Sequence, residues 1–166
     1  LVVLSIPMGV LAATRPNTWI DRLALSVSVM GQAMPSFWFG LIMIIFFGVY
    51  LRWLPISGSD SWAHFVMPTI ALGYYATPSI MRLTRSGMIE VLSSDFIRTA
   101  RAKGVTERMV VIRHALRNGL IPVVTLIGLQ APLLIGGTVV MEQIFVVPGM
   151  GLLLLEAVSQ RDYPVV

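Results

Sequence analysis

The chain has 166 residues, of which 56% are hydrophobic and 12% charged, with a net charge of +4. Water-soluble domains carry roughly 25% charged residues, so this chain lacks the polar side chains to cover a soluble surface, and its mean hydropathy of +0.82 agrees. Disorder is excluded by the same apolar share, and the absence of cysteine excludes a disulfide scaffold, thiolate metal sites and cysteine nucleophiles.

Residues 1–14, 23–51, 61–81 and 118–141 carry no charged side chain. A helix needs about 20 residues to cross a hydrocarbon core of roughly 30 Å, so the last three runs, of 29, 21 and 24 residues, are read as spans. The first run has 14 residues and no basic leader before it, which argues against a signal peptide. It is read as the end of a span that starts upstream. Run 23–51 holds Ser26, Ser28, Gly31, Gln32, Pro35 and Ser36 before WFGLIMIIFFGVY. Run 61–81 holds Pro68, Gly73 and Pro78, and run 118–141 holds Pro122, Gly128, Gln130, Pro132, Gly136 and Gly137. Residues of this kind suit helices packed against neighbours or a cavity, not a single-pass anchor. Gln32 and Gln130 are the cavity-lining candidates, because an amide at mid-depth needs a partner or water. A fifth run, 143–155, is 13 residues long and broken by Pro148, Gly149 and Gly151, which fits re-entrant or interfacial structure. RDYPVV then reads as the lead-in to another apolar helix. The expected fold is an all-α polytopic bundle of membrane helices, one domain over 1–166 that continues beyond both ends.

Lys and Arg in the connecting segments set the orientation. Segment 15–22 holds Arg15 and Arg22, and segment 82–117 holds eight of the twelve basic residues against Glu90, Asp95 and Glu107, a net +5. Segment 52–60 has one charge of each sign, and 142–166 is at −2. The alternation puts 15–22 and 82–117 in the cytoplasm and 52–60 and 142–166 outside. The basic balance is therefore an orientation signal and not a nucleic-acid footprint.

The cytoplasmic segment carries the most information. Ser93 or Ser94 can cap a helix with Asp95 in its first turn, at the positive end of the helix dipole. Arg98, Arg101 and Lys103 fall toward the opposite end, and Gly104 is placed to stop the helix in a left-handed conformation. Phe96, Ala100 and, from the other side, Ile97 make a short apolar stripe. Thr106 caps a second helix with Glu107 in its first turn, running through MVVIRHALRN. On the residues alone, a protrusion fitting a groove on a cytoplasmic partner and a basic helix lying on anionic lipid are equally good readings.

The stretch FIRTARAKGVTERMVVIRHALRNGLIPVV resembles the cytoplasmic loop of importer permeases of the ATP-binding-cassette class, in their dipeptide, oligopeptide, nickel and glutathione branch. PSFWFGLIMIIFF, LPISG, MRLTRSGMIEVLSSDFIRTARAKG and FVVPGMGLLLLEAVSQRDYPVV resemble the same branch, the last pointing to the first of two paired permease subunits. The general loop pattern is Glu-Ala-Ala, three residues, Gly, nine residues, then Ile-x-Leu-Pro. Arg98 and Thr99 stand at its first two positions, Ala100, Gly104 and Leu116 keep it, and His114 and Arg117 replace its Ile and Pro. The resemblance implies a bacterial inner-membrane, multi-pass permease subunit with a second permease subunit, two cytoplasmic ATPase subunits and an extracytoplasmic solute-binding protein as partners. It implies a coupling helix over 94–104, with Asp95, Phe96, Arg98, Thr99, Ala100, Arg101, Ala102, Lys103 and Gly104 at the ATPase interface. ATP and Mg would bind those partner subunits, and no cofactor this chain.

Two other classes remain. A channel or secondary transporter would share the helices and need no ATPase. An intramembrane serine hydrolase would use Ser57 or Ser59 with His64, but no nucleophile motif surrounds those serines. No GxxxxGK phosphate loop is present, so ATP hydrolysis belongs to a partner. His64 and His114 fall on opposite predicted sides and cannot share a metal.

Overall fold

A computed structural model describes residues 2–136 and 139–162; the side chains at 27, 31, 32 and 133–136 are outside it. Every regular element among the described residues is helical. In order they are α1 (Val2–Thr14), α2 (Trp19–Ala33), α3 (Ser36–Met43) with a π-helical continuation Ile44–Tyr50, a 3-10 turn at Trp62–Phe65, and α4 (Val66–Leu92). There follow α5 (Asp95–Ala102), α6 (Glu107–Met109), a π-helical stretch Val110–Ala115, α7 (Leu116–Gly119), α8 (Ile121–Gly136), α9 (Val139–Phe145) and α10 (Met150–Gln160).

The charge-free runs do not map one to one onto helices. Run 23–51, read as one span, is broken at Met34 and Pro35, where Pro35 is extended at φ −60° and ψ 140°. Proline offers no N–H to a preceding turn and pushes the residue before it out of the helical region. Run 61–81 opens in the 3-10 turn and continues as α4 far past its last uncharged residue, Met81. Run 118–141 straddles α7, α8 and α9. No single helix among the described residues is long and apolar enough to cross a membrane. In α4 the length suffices, but Thr69, Tyr74, Tyr75, Thr77, Pro78 and Ser79 dilute its apolar content. Two pairs pass together: Glu107–Gly119 with Ile121–Pro132, bent by 45°, and Val139–Phe145 with Met150–Gln160, bent by 100°.

The chain forms two compact units, Leu1–Ala33 with Ala76–Leu129 and Met34–Tyr75 with Gln130–Val166. In the first, α1 lies against α4 so closely that a Cβ on Gly9 would stand 2.7 Å from the Met81 carbonyl oxygen. Small residues at such crossings are how helices gain contact where burial from water drives little. Ala12, Ala24 and Met81 fill one core of this unit, and Ala76, Ile80 and Val123 another.

In the second unit Met43, Met67, Ala71, Met141 and Phe145 form the core, and Phe39 stacks on Tyr74 at 4.2 Å. The 100° corner between α9 and α10 is held by Glu142, whose Oε2 accepts the Leu152 N–H at 2.8 Å. A carboxylate there satisfies an otherwise open donor in the first turn of α10 and complements its dipole. A Cβ on Gly151 would lie 2.6 Å from Val139 Cγ2 and 3.0 Å from Glu142 Oε2. Gly151→Ala is therefore expected to cost about 1–3 kcal/mol by overpacking, read as a lower unfolding temperature of the purified protein. Gly128→Ala, at a helical site with nothing within 4 Å of the new methyl, is expected to stabilise by about 0.5–1 kcal/mol. Equal effects of the two substitutions would refute the corner argument.

Candidate functional site

Segment 82–119 lies wholly in the first unit and folds back on itself. At the end of α4, Ser93 Oγ donates to the Glu90 carbonyl (2.7 Å) and Ser94 Oγ to the Val91 carbonyl (2.5 Å). Ser94 occupies the N-cap position of α5 with extended backbone, yet its hydroxyl is spent on closing α4 and makes no cap bond. The sequence expectation of a serine cap thus holds for position and not for bonding. Thr106 likewise occupies the N-cap position of α6 without a side-chain cap bond.

The far end of α5 is fully built. Gly104 has φ +76°, its N–H donates to the Arg101 carbonyl (3.0 Å), and the Val105 N–H donates to the Ala100 carbonyl (3.3 Å). These are the two bonds of a Schellman cap, and Val105 and Ala100 complete it with the usual apolar contact against one cluster. Arg101 bridges the turn: its Nε and Nη2 donate to Glu107 Oε2 and Oε1 at 3.0 and 2.6 Å. Those hydrogen bonds hold the Glu107 carboxyl below its ordinary range and push the Arg101 guanidinium further up. Both side chains are exposed, so the bridge adds at most about 1 kcal/mol.

Burial divides α5 into an anchor and an outer face. Ile97 is fully buried with Ala13, Met88, Val110 and Ala115, and Ala100 packs against them. Asp95, Phe96, Arg98, Thr99, Arg101, Ala102, Lys103 and Gly104 are exposed. Phe96, expected in the apolar stripe, is 45% exposed and belongs to the outer face; Ile97 with Ala100, at i and i+3, makes the anchor. Arg98 is 87% exposed and among the described residues pairs only with Asp95, at 3.8 Å.

Two contacts that sequence reading missed fix the roots of this segment. A Cβ on Gly87 of α4 would lie 2.8 Å from the Gly119 carbonyl oxygen of α7, so the two helices touch backbone to backbone. Asp21, in the first turn of α2, is 2% exposed and takes a two-pronged contact from Arg85: Nε to Oδ1 at 2.5 Å and Nη2 to Oδ2 at 2.7 Å. The Asn17 N–H adds a third bond at 2.9 Å. The Arg85 hydrogen bonds hold the Asp21 carboxyl below its ordinary range against the opposing effect of burial. No local spacing signals either contact, since the partners are far apart in sequence.

The other candidates are scattered. Gln130 is half-buried on α8; Gln32 is on α2 and its side chain lies outside the described residues. His64 faces Ser61, not Ser57 or Ser59: the Ser61 N–H donates to Nδ1 (3.2 Å) and Ser61 Oγ stands 3.0 Å from it, shaping the start of the 3-10 turn. No group of metal-ligating side chains is gathered among the described residues. Segment 82–119 thus presents an aromatic ring, Phe96, among exposed cations on a helix anchored by Ile97 and Ala100.

Residues 5–166 match the protein family described as binding-protein-dependent transport system inner membrane component. The chain is 46% identical over 165 residues to the glutathione transport system permease protein GsiC of Escherichia coli (strain K12), covering 99% of this chain and 54% of that one. The same protein of Shigella dysenteriae serotype 1 and that of Salmonella paratyphi A give the same figures. The chain spans about half the length of these curated relatives.

Proposed function

For a chain that belongs to the family of binding-protein-dependent transport system inner membrane components, we propose the role of a multi-pass permease subunit that couples to a cytoplasmic ATPase through α5. Segments 15–22 and 82–117 face the cytoplasm, and the runs 1–14, 23–51, 61–81 and 118–141 supply its membrane helices, one transmembrane domain over 1–166, with 142–166 outside. A second permease subunit, two ATPase subunits that bind ATP and Mg, and an external solute-binding protein complete the importer. Its substrate class is glutathione or a similar short peptide, in keeping with the names of the relatives.

The observation that carries this reading is the split of α5. Ile97 and Ala100 anchor it to α4, the π-helical stretch and α1, while Asp95, Phe96, Arg98, Thr99, Arg101, Ala102 and Lys103 stay exposed. A helix anchored this way moves with its roots, so closure of an ATPase groove around the outer face would tilt α4 and α7 together. Gln32 and Gln130 are the proposed lining of the path. Arg98→Glu with Arg101→Glu is expected to lower substrate-stimulated ATPase activity of the full importer at least tenfold, with membrane insertion unchanged. Arg101→Glu with Glu107→Arg reverses the bridge but keeps it, and separates loss of docking from loss of loop structure. Normal stimulation in the Arg98, Arg101 variant would refute the coupling role.

A further inference from the structure

An open groove of about 520 Å³ lies within the first unit, on the surface formed by α2, α4 and α8. Leu25, Leu83 and Leu126 give it apolar walls, and Ser79, Arg82 and Ser86 line it with polar groups. A water occupies about 30 Å³, so the groove has room for a group far larger than solvent. Arg85 also borders it, but its charge is matched by Asp21. Arg82 is half-buried and pairs with no carboxylate among the described residues. The groove therefore carries one uncompensated positive charge between hydrocarbon walls, and a partly desolvated cation is stabilised by an anion that can share its site.

Position selects the anion. Arg82 immediately follows the last uncharged residue of run 61–81, which places it at the cytoplasmic edge of the membrane; this step rests on the orientation proposed above. A free phosphate would gain nothing from Leu25, Leu83 and Leu126, whereas a phospholipid brings a phosphodiester and acyl chains together. We propose that this groove binds an anionic phospholipid of the cytoplasmic leaflet, its phosphodiester on Arg82 and its acyl chain along the three leucines. Basic pockets between helices on this side of a membrane suit such headgroups. A headgroup bearing its own ammonium would meet Arg82 repulsively, so the site prefers phosphatidylglycerol to phosphatidylcholine.

The test is native mass spectrometry of the full-length permease in its importer complex, titrated with phosphatidylglycerol, phosphatidylcholine or inorganic phosphate. Phosphatidylglycerol should be retained at least about fivefold better than phosphatidylcholine, the factor expected for one cation near a membrane surface. Arg82→Gln should remove that preference, and Leu126→Trp, which fills the groove, should lower retention of both lipids. Equal retention of the two lipids, an unchanged preference in Arg82→Gln, or displacement by millimolar phosphate would overturn the proposal. Substrate-stimulated ATPase activity, read on the same samples, separates the two readings. Equal retention of the two lipids by the parent complex, with stimulation lost in the Arg98→Glu, Arg101→Glu variant, counts against the groove alone; normal stimulation in that variant, with the lipid preference kept, counts against the coupling role alone.

Discussion

Gly104→Pro is expected to abolish transport while leaving the protein in the membrane. At φ +76° the site is closed to proline, whose ring fixes φ near −65°. The substitution also removes the N–H that donates to the Arg101 carbonyl, one of the two bonds of the cap. A loss of about 3 kcal/mol or more is expected locally, enough to unseat α5 from Ile97's pocket and to separate Arg101 from Glu107. Gly104→Ala is the informative control. Nothing lies within 4 Å of its added methyl, so it meets only the left-handed strain of about 1–2 kcal/mol and should keep most transport. Uptake by reconstituted importer, compared with ATPase stimulation, checks both; a fully active proline variant would mean that the cap is not needed.

The second large effect falls on Asp21. Asp21→Asn leaves Arg85 partly buried opposite an amide, and a loss of about 2–3 kcal/mol is expected. Arg85→Lys keeps the charge but loses the planar fork and should cost less than Asp21→Asn. Replacing both at once, Asp21→Ala with Arg85→Met, should cost less than the sum of the single changes, because no charge is stranded. The pair also sets a sign for acid stability. The folded-state carboxyl sits below its ordinary value near 4. Its contribution is therefore present above that value and lost as pH falls through the lower folded one. Thermal unfolding of the detergent-purified importer across pH 3 to 7 measures all three. An Asp21→Asn variant as stable as the parent at neutral pH would rule out a structural role for the contact.

What could be read in the sequence was local. Asp95 in a first turn, cations at the far end and Gly104 as the stop all lie within ten residues, and α5 forms where they place it. The membrane character and the family followed from composition and from motifs along the whole chain. Charge-free length, in contrast, is blind to backbone breaks. Pro35 divides a run of 29 uncharged residues, and the corner at Glu142 turns the chain by 100°. The Asp21 to Arg85 contact joins residues 64 apart, and Gly87 meets Gly119 only because the loop closes. Phe96 shows the limit within a helix. At eight residues, spacing alone leaves two rotations about equally apolar, and burial chose the one led by Ile97.

The closure at Gly87 and Gly119 has a consequence for how the molecule is made. Apart from Val10 and Ala13, the side chains around Ile97 come from residues 88 to 116, so most of that cluster joins neighbours in the chain. Contacts between near neighbours form fast, because little chain entropy is lost in closing short loops. Val10 and Ala13 of α1 reach the cluster across a long stretch of chain and join it later, as Asp21 joins Arg85. The loop can thus assemble as an early, self-contained module, while the pairing of Asp21 with Arg85 must close a far longer stretch of chain.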